Sequence, residues 1–427
     1  MRGQTTMYGK LRQLALGAAL LTVGLTGAAP AAPVAAAQHA PARWSTGWAS
    51  APQHPVAGNE WDGPNWSVDG FRDQSVRQVV RLSVGGSHLR IRLSNRYGTT
   101  PLRVTGATVG RTRAGAQVLP GTVHRLTFHH SAGVTVPPGR DAASDAVALP
   151  TRALERLTVT LYFAGATGPA TFHQEGLTTT YRAVGDHRYD PGDGAFAGEV
   201  SDSWYYLAGL DVTGGARPAR GTVVTVGDSI TDGYGSTPGA DNRYPDQLAE
   251  RLAAAGRPVG VANVGISGNK LVGSSTCYGE SVLARFRRDV LDQPGVRTVI
   301  IEVGLNDLAT SGLPDFGCGP SPVVTRDDLI AGYRTLIRAA RARGITVLGA
   351  TLTPVVGSIY EPVEETRLSV NRWIRTSGEY DGVIDLDRAV TDRGRPGLSP
   401  AYDCGDALHP NDAGTRAMAD AIDLRRL

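Results

Sequence analysis

The sequence predicts two structural classes in one chain, an all-β sandwich followed by an α/β domain built on a parallel sheet. Three observations predict this. The front half alternates apolar and polar residues with period two, with turn residues at short intervals and no long helical stripe. The back half alternates near-continuous apolar strands with amphipathic helices, the pattern of a parallel sheet covered on both faces. Between them, "TGGARPARG" from Thr213 to Gly221 has the composition of a linker.

Residues 1–37 contain Arg2, Lys10 and Arg12, no acidic residue, and an apolar run from about Leu14 to Leu25. Ala35, Ala36 and Ala37 then offer a cleavage site, so a secretory signal peptide is expected. Its apolar core, about a dozen residues, is too short for a hydrocarbon layer of roughly 30 Å. An exported, soluble, extracellular protein is expected, with no stable membrane insertion.

Residues 40–212 are expected to form the sandwich, of jelly-roll type, as an accessory or carbohydrate-binding domain. Val80, Leu82 and Val84 lead into Gly85-Gly86, and Leu89, Ile91 and Leu93 lead out, which reads as a β-hairpin. Leu157, Val159, Leu161 and Phe163 share a face further on, and "VHRLTF" and "GVTVPPG" repeat the alternation more weakly. Residues 221–427 supply the strands "TVVTV", "VGVANV", "TVIIEV", "TVLGATL" and "GVIDL". Helical stripes such as "YPDQLAERLAAAG" and "DDLIAGYRTLIRAARARG" separate them.

Charge narrows the function. There are 43 basic and 40 acidic side chains, and the leader's three basic residues account for the difference. A neutral mature chain lacks the basic surplus of a nucleic-acid or anionic-membrane binder. A monomer acting on a small-molecule or polysaccharide ester is expected, without cofactor or metal. No His-Glu-x-x-His set, paired Cys-x-x-Cys or Gly-x-x-x-x-Gly-Lys loop is present.

Three cysteines, Cys277, Cys318 and Cys404, all fall in the back half. An oxidising compartment favours one disulfide and one leftover thiol. Cys277 and Cys318 both occupy loop-like surroundings rich in Gly, Ser and Pro, and are the expected pair. Cys404 is expected to be a buried small residue.

In a doubly wound sheet, ligands bind beyond the carboxyl ends of the strands. The first strand of the back half delivers "GDS", hence Ser229, to that edge. A serine hydroxyl needs a general base, commonly a histidine held by a carboxylate. The back half has one histidine, His409, with Asp406 three residues earlier. Acyl transfer also needs donors aimed at the developing oxyanion. Gly265 or Gly268 in "NVGISG" is suited to a close backbone approach, and spacing does not choose between them. "VGLND" brings the Asn306 carboxamide to the same edge.

These four short motifs in this order resemble the SGNH hydrolases, the GDSL esterase/lipase family, over residues 221–427. The resemblance implies a flavodoxin-like sheet, Ser229 as nucleophile, His409 as base and then acid, and Asp406 as its orienting carboxylate. It also implies an oxyanion hole from the N–H groups of Ser229 and Gly268 and the side chain of Asn306. The β-rich front half resembles, more loosely, that of a bacterial secreted branch in which a sandwich precedes the hydrolase.

The expected activity is two-step hydrolysis of carboxylic esters through an acyl-enzyme, on acetylated carbohydrate. The alternative within hydrolases is a lipase or arylesterase. The alternative of another class is a non-catalytic carbohydrate-binding protein on a hydrolase fold. Asp228 and Asp232, flanking the nucleophile, are expected either to accept hydrogen bonds that support the site or to cap the helix start, Asp307 to fix its own loop, and Tyr234 and Tyr244 to line a pocket or pack in the core. Trp44, Trp48, Trp61, Trp66 and Trp204 are candidate sugar platforms that would equally serve as core.

Overall fold

The structure, a computed structural model, describes residues 43–58, 63–392 and 394–427. The expected signal peptide and Trp61 lie outside the described residues. The described residues form one compact unit, so the β-rich and α/β halves pack together.

The β-rich half has two main antiparallel sheets facing each other across a large apolar core, with shorter two-stranded ladders beside them. In the first, the order is Ser45–Ala49, Leu207–Thr213, His88–Ser94 and Asp141–Ala143. In the second, Gln74–Arg81 and Arg156–Phe163 lie centrally, with Thr180–Val184 beyond the former and Gly106–Ala114 beyond the latter. The predicted alternation holds in His88–Ser94, where Leu89, Ile91 and Leu93 are buried and Arg90 and Arg92 are less so. These three meet Leu157, Val159, Leu161 and Phe163 from the opposing sheet in a single cluster. Each fully buried side chain of this size stabilises by roughly 1.5 to 3 kcal/mol relative to exposure.

The hairpin expected at Gly85-Gly86 does not form. Gln74–Arg81 pairs with Arg156–Phe163 and Thr180–Val184, whereas His88–Ser94 pairs with Leu207–Thr213, so the link crosses between sheets. A two-residue hairpin turn needs positive φ at one or both central positions, and neither glycine has it. Both glycines answer to close approach instead. A Cβ on Gly85 would lie 2.2 Å from the Thr151 carbonyl, and one on Gly86 2.7 Å from that of Thr213. Period-two alternation fixes which residues face inward but not which strand lies alongside.

The α/β half has one parallel sheet in the order Gly260–Asn263, Thr222–Gly227, Val296–Glu302, Thr346–Ala350, Gly382–Ile384. Numbered along the chain this is 2-1-3-4-5, the flavodoxin-like arrangement, whose switch point lies between the first and third strands. The helix Arg326–Arg341 shows why the segments fold as read. Leu329, Tyr333, Leu336, Ile337 and Ala340 recur on one face and are buried, while Thr325 and Asp328 form a reciprocal capping box at its start.

The halves share a polar seam. The Thr46 N–H donates to Thr222 Oγ1 at 3.0 Å. Ser83 bridges strand Gly260–Asn263, accepting from the Val261 N–H at 2.8 Å and donating to its carbonyl at 3.0 Å. Trp48, Trp66 and Trp204 are buried in the β-rich half, so they are core and not stacking platforms for a sugar.

Candidate active site

Strand Thr222–Gly227 ends at the switch point, and the chain turns at once into a short helix, Ser229–Asp232. Asp228 caps it as expected, Oδ1 accepting from the Ile230 N–H at 3.1 Å. Gly227 is required there, because a Cβ would lie 2.2 Å from the Glu302 carbonyl. This crowding throws Ser229 out at the sheet edge.

The loop before the final helix is built around two aspartates. Asp403 Oδ1 accepts from the N–H groups of Gly405, Asp406 and Ala407 at 2.8, 3.1 and 3.0 Å, which folds the chain into a tight turn. Asp406 Oδ1 then accepts from the N–H groups of Leu408 and His409 at 2.9 and 2.8 Å. Its Oδ2 accepts from His409 Nδ1 at 2.5 Å. With Nδ1 committed as donor, Nε2 is the free acceptor, and it lies 2.8 Å from Ser229 Oγ. Residues 180 apart in sequence thus share one hydrogen bond.

Burial works to raise the Asp406 carboxyl. The hydrogen bonds from the His409 ring and backbone outweigh it and hold that group well below the usual carboxylate range. The carboxylate therefore stays ionised beside the imidazole, where it stabilises a developing positive charge. Cys404 does not fit the expected buried thiol: it is exposed, in the turn folded by Asp403. Partial desolvation and the neighbouring Asp406 push its thiol up to about 11. Cys277 and Cys318 are joined in a disulfide.

Gly268 follows the second strand, at φ +73°, and a Cβ there would sit 2.4 Å from the Tyr278 ring. Gly265, the other candidate, meets a different demand, since its Cβ would lie 2.4 Å from the Asp232 nitrogen. The structure ties this loop to the first strand through Ile266 N–H to Gly227 O at 3.2 Å. Asn306 joins the same cluster: Nδ2 donates to the Asn269 carbonyl at 3.0 Å, which leaves its second N–H uncommitted by that bond. Asp307 fixes its surroundings as expected, accepting from Leu271 and Val272 N–H at 2.6 and 2.8 Å.

The sequence profile of the GDSL-like lipase/acylhydrolase family matches residues 225–417. The chain carries a GDSL-like lipase/acylhydrolase domain. That domain supports a carboxylic ester hydrolase. Among solved structures, the acylhydrolase domain is similar to an acetylxylan esterase from Geobacillus stearothermophilus, at 24% identity over 49% of this chain and 94% of that one, TM-score 0.38. It is also similar to a protein assigned to the lipolytic G-D-S-L family from Desulfitobacterium hafniense, at 22% identity over 47% of this chain and 96% of that one, TM-score 0.36. No curated protein matches the chain in sequence.

Several residues that shape the acylhydrolase site escape sequence reasoning. The Arg285 guanidinium, fully buried, donates to the carbonyls of Val264 and Gly227 at 2.7 and 3.2 Å and to Asn269 Oδ1. Its sequence signal is an arginine three residues after Val282 on an otherwise apolar stripe. Tyr360 donates to Asn306 Oδ1 at 2.9 Å. Glu302, the one acid inside "TVIIEV", accepts from Thr231 Oγ1 at 3.0 Å beneath the helix of Ser229. Asp232 is no cap. It bonds His173 of the β-rich half and Ser267. Tyr234 packs its ring on His409 at 4.6 Å, and Tyr244 is core.

Proposed function

We propose that the protein is a secreted serine esterase that deacylates carbohydrate through an acyl-enzyme on Ser229. The observation that carries it is the 2.8 Å contact between Ser229 Oγ and His409 Nε2, backed by Asp406. Ser229 attacks the ester carbonyl as His409 takes its proton. The N–H groups of Ser229 and Gly268 and the Asn306 amide hold the oxyanion, and the alcohol leaves with the proton from His409. Water then repeats the sequence and frees the acid.

A carbohydrate alcohol is supported by the tyrosines around these residues. Tyr234 lies on His409, Tyr278 beside Gly268 and Tyr360 on Asn306. Each pairs an apolar ring with a polar tip. A second reading, a lipase or arylesterase, is favoured by Ile359 and Phe316, which are 87% and 78% exposed. Ile359 adjoins Tyr360, and Phe316 sits in the loop held by Cys318.

Acetate released from acetylated xylan, measured against fatty acid released from emulsified triglyceride, separates the two. Ser229→Ala is the control and is expected to lose at least about a thousandfold in turnover with the fold intact. Parental turnover of p-nitrophenyl acetate by that variant would refute the assignment.

A further inference from the structure

The β-rich half reaches into the acylhydrolase site through one buried histidine. His173 is 3% exposed and Asp232, on the helix that begins with Ser229, is 2% exposed. His173 Nδ1 faces the Ala51 carbonyl at 3.0 Å, and Nε2 faces Asp232 Oδ1 at 3.0 Å. Both partners are oxygen acceptors, so one proton lies on Nδ1 and another between Nε2 and Oδ1. The ring is also fixed from its face, lying over Trp204 with centroids 5.5 Å apart at 23°.

The other oxygen of Asp232 is committed to the loop that carries Gly268. Oδ2 accepts from the Ser267 N–H at 2.8 Å and from Ser267 Oγ at 3.2 Å. The next N–H along the chain belongs to Gly268. A buried carboxylate with one oxygen held and the other free would rotate or draw in water, and charge-assisted bonds are the strong ones. Fixing Oδ1 therefore fixes Oδ2, and Oδ2 sets the height of the Ser267–Gly268 peptide relative to the helix of Ser229.

We infer that His173 is a positioning residue for the oxyanion hole, acting through Asp232 and Ser267. The sandwich then completes the catalytic machinery. It is not a detachable binding module. This rests on the reading of Gly268 as an oxyanion donor in a serine esterase.

The test is a kinetic cycle in the intact chain with p-nitrophenyl acetate, run well below the thermal midpoint of each variant. His173→Phe keeps the ring over Trp204 and removes both N–H groups. It is expected to lower kcat at least about tenfold with little change in KM, bounded by the roughly 10²- to 10³-fold cost of losing a whole donor. His173→Gln, which places an amide N–H near the Nε2 position, is expected to recover most of that loss. Because both side chains act through one bond, His173→Phe combined with Asp232→Asn should lose no more than Asp232→Asn alone. A merely structural histidine would give additive losses and no rescue by Gln.

Parental kcat in His173→Phe, additive losses, or a Gln variant no better than Phe overturns the inference. Should the Phe variant fail to fold, Asp232→Asn carries the test, and parental kcat there overturns it. Ser229→Ala run alongside keeps the two claims apart. An active Ser229→Ala sinks the esterase reading itself, whereas an inactive one beside a parental His173→Phe sinks the positioning role alone.

Discussion

Tyr360 donates its hydroxyl to Asn306 Oδ1 at 2.9 Å, which holds the Asn306 amide from its oxygen side. Nδ2 bonds the Asn269 carbonyl at 3.0 Å, and the flipped amide would set oxygen against oxygen there, whereas the Tyr360 hydroxyl could serve either end. Burial pushes the Tyr360 hydroxyl up to about 12, so it remains a donor throughout the working range. Tyr360→Phe is expected to lower kcat about tenfold, less than the roughly 10²- to 10³-fold of deleting the donor itself. KM should change little. Kinetics of Tyr360→Phe, Asn306→Ala and the double variant check this: no further loss on adding Phe to Asn306→Ala is the expected result, and additive losses would contradict it.

Arg285 supports the same cluster from beneath. One planar guanidinium joins the end of the first strand, at Gly227, to both ends of the loop that carries Gly268, at Val264 and Asn269, and pairs with Asp289 at 3.2 Å. A lysine ammonium on a narrower stem does not reproduce that fork. Arg285→Lys is expected to cost about 1 to 3 kcal/mol of stability, the usual penalty for leaving a buried acceptor unsatisfied, and to lower kcat as well. Chemical denaturation midpoints and kcat measured below the transition test both parts. A parental midpoint would show that the planar fork is dispensable.

The parallel half was legible because its signals are local. Uninterrupted apolar runs such as "TVVTV" bounded by amphipathic stripes have few other readings, and the catalytic candidates sit at strand ends by the geometry of such sheets. The front half was legible in type but not in pairing. The alternation around Gly85-Gly86 is satisfied equally by a hairpin and by two sheets facing each other, and only contacts with Thr151 and Thr213 decide. The supports of the site were hidden for a related reason. His173, Asp232 and Ser267 are brought together by folding alone, across 59 and 35 residues, and no spacing rule connects them.

The Cys277–Cys318 bridge closes a loop with a sequence separation of 41. The chain-entropy model assigns such a loop about 4 kcal/mol. Replacing both cysteines by serine is expected to lower the unfolding free energy by that order, read from denaturant midpoints. Cys277 adjoins Tyr278, whose ring lies beside Gly268, so KM for an acetyl ester is expected to rise as well. An unchanged midpoint would mean that the loop is held by its other bonds, such as Thr276 N–H to Cys318 O at 3.1 Å.

Asp228 and Glu302 lie buried beneath the Ser229 helix, and among the described residues Asp228 Oδ2 and Glu302 Oε1 have no hydrogen-bond partner. Burial, with the charges of Asp307 and Asp232 adding, pushes Asp228 up to about 7, and burial together with Asp228 raises Glu302 well above its ordinary value. A raised carboxyl binds its proton more tightly in the folded chain than in the unfolded one. Its contribution to stability is therefore complete below the unfolded value of about 3.9 and is lost as pH rises through about 7. Asparagine cannot ionise and keeps an oxygen to cap the Ile230 N–H. Asp228→Asn should escape this loss and gain on the parent, by at most about 4 kcal/mol, between pH 4 and pH 8. Asp406, whose lowered value gives the opposite slope, is common to both proteins and cancels in the difference. Denaturant midpoints of parent and variant at pH 4 and pH 8 test the account. It fails if the two proteins lose or gain stability in parallel across that interval.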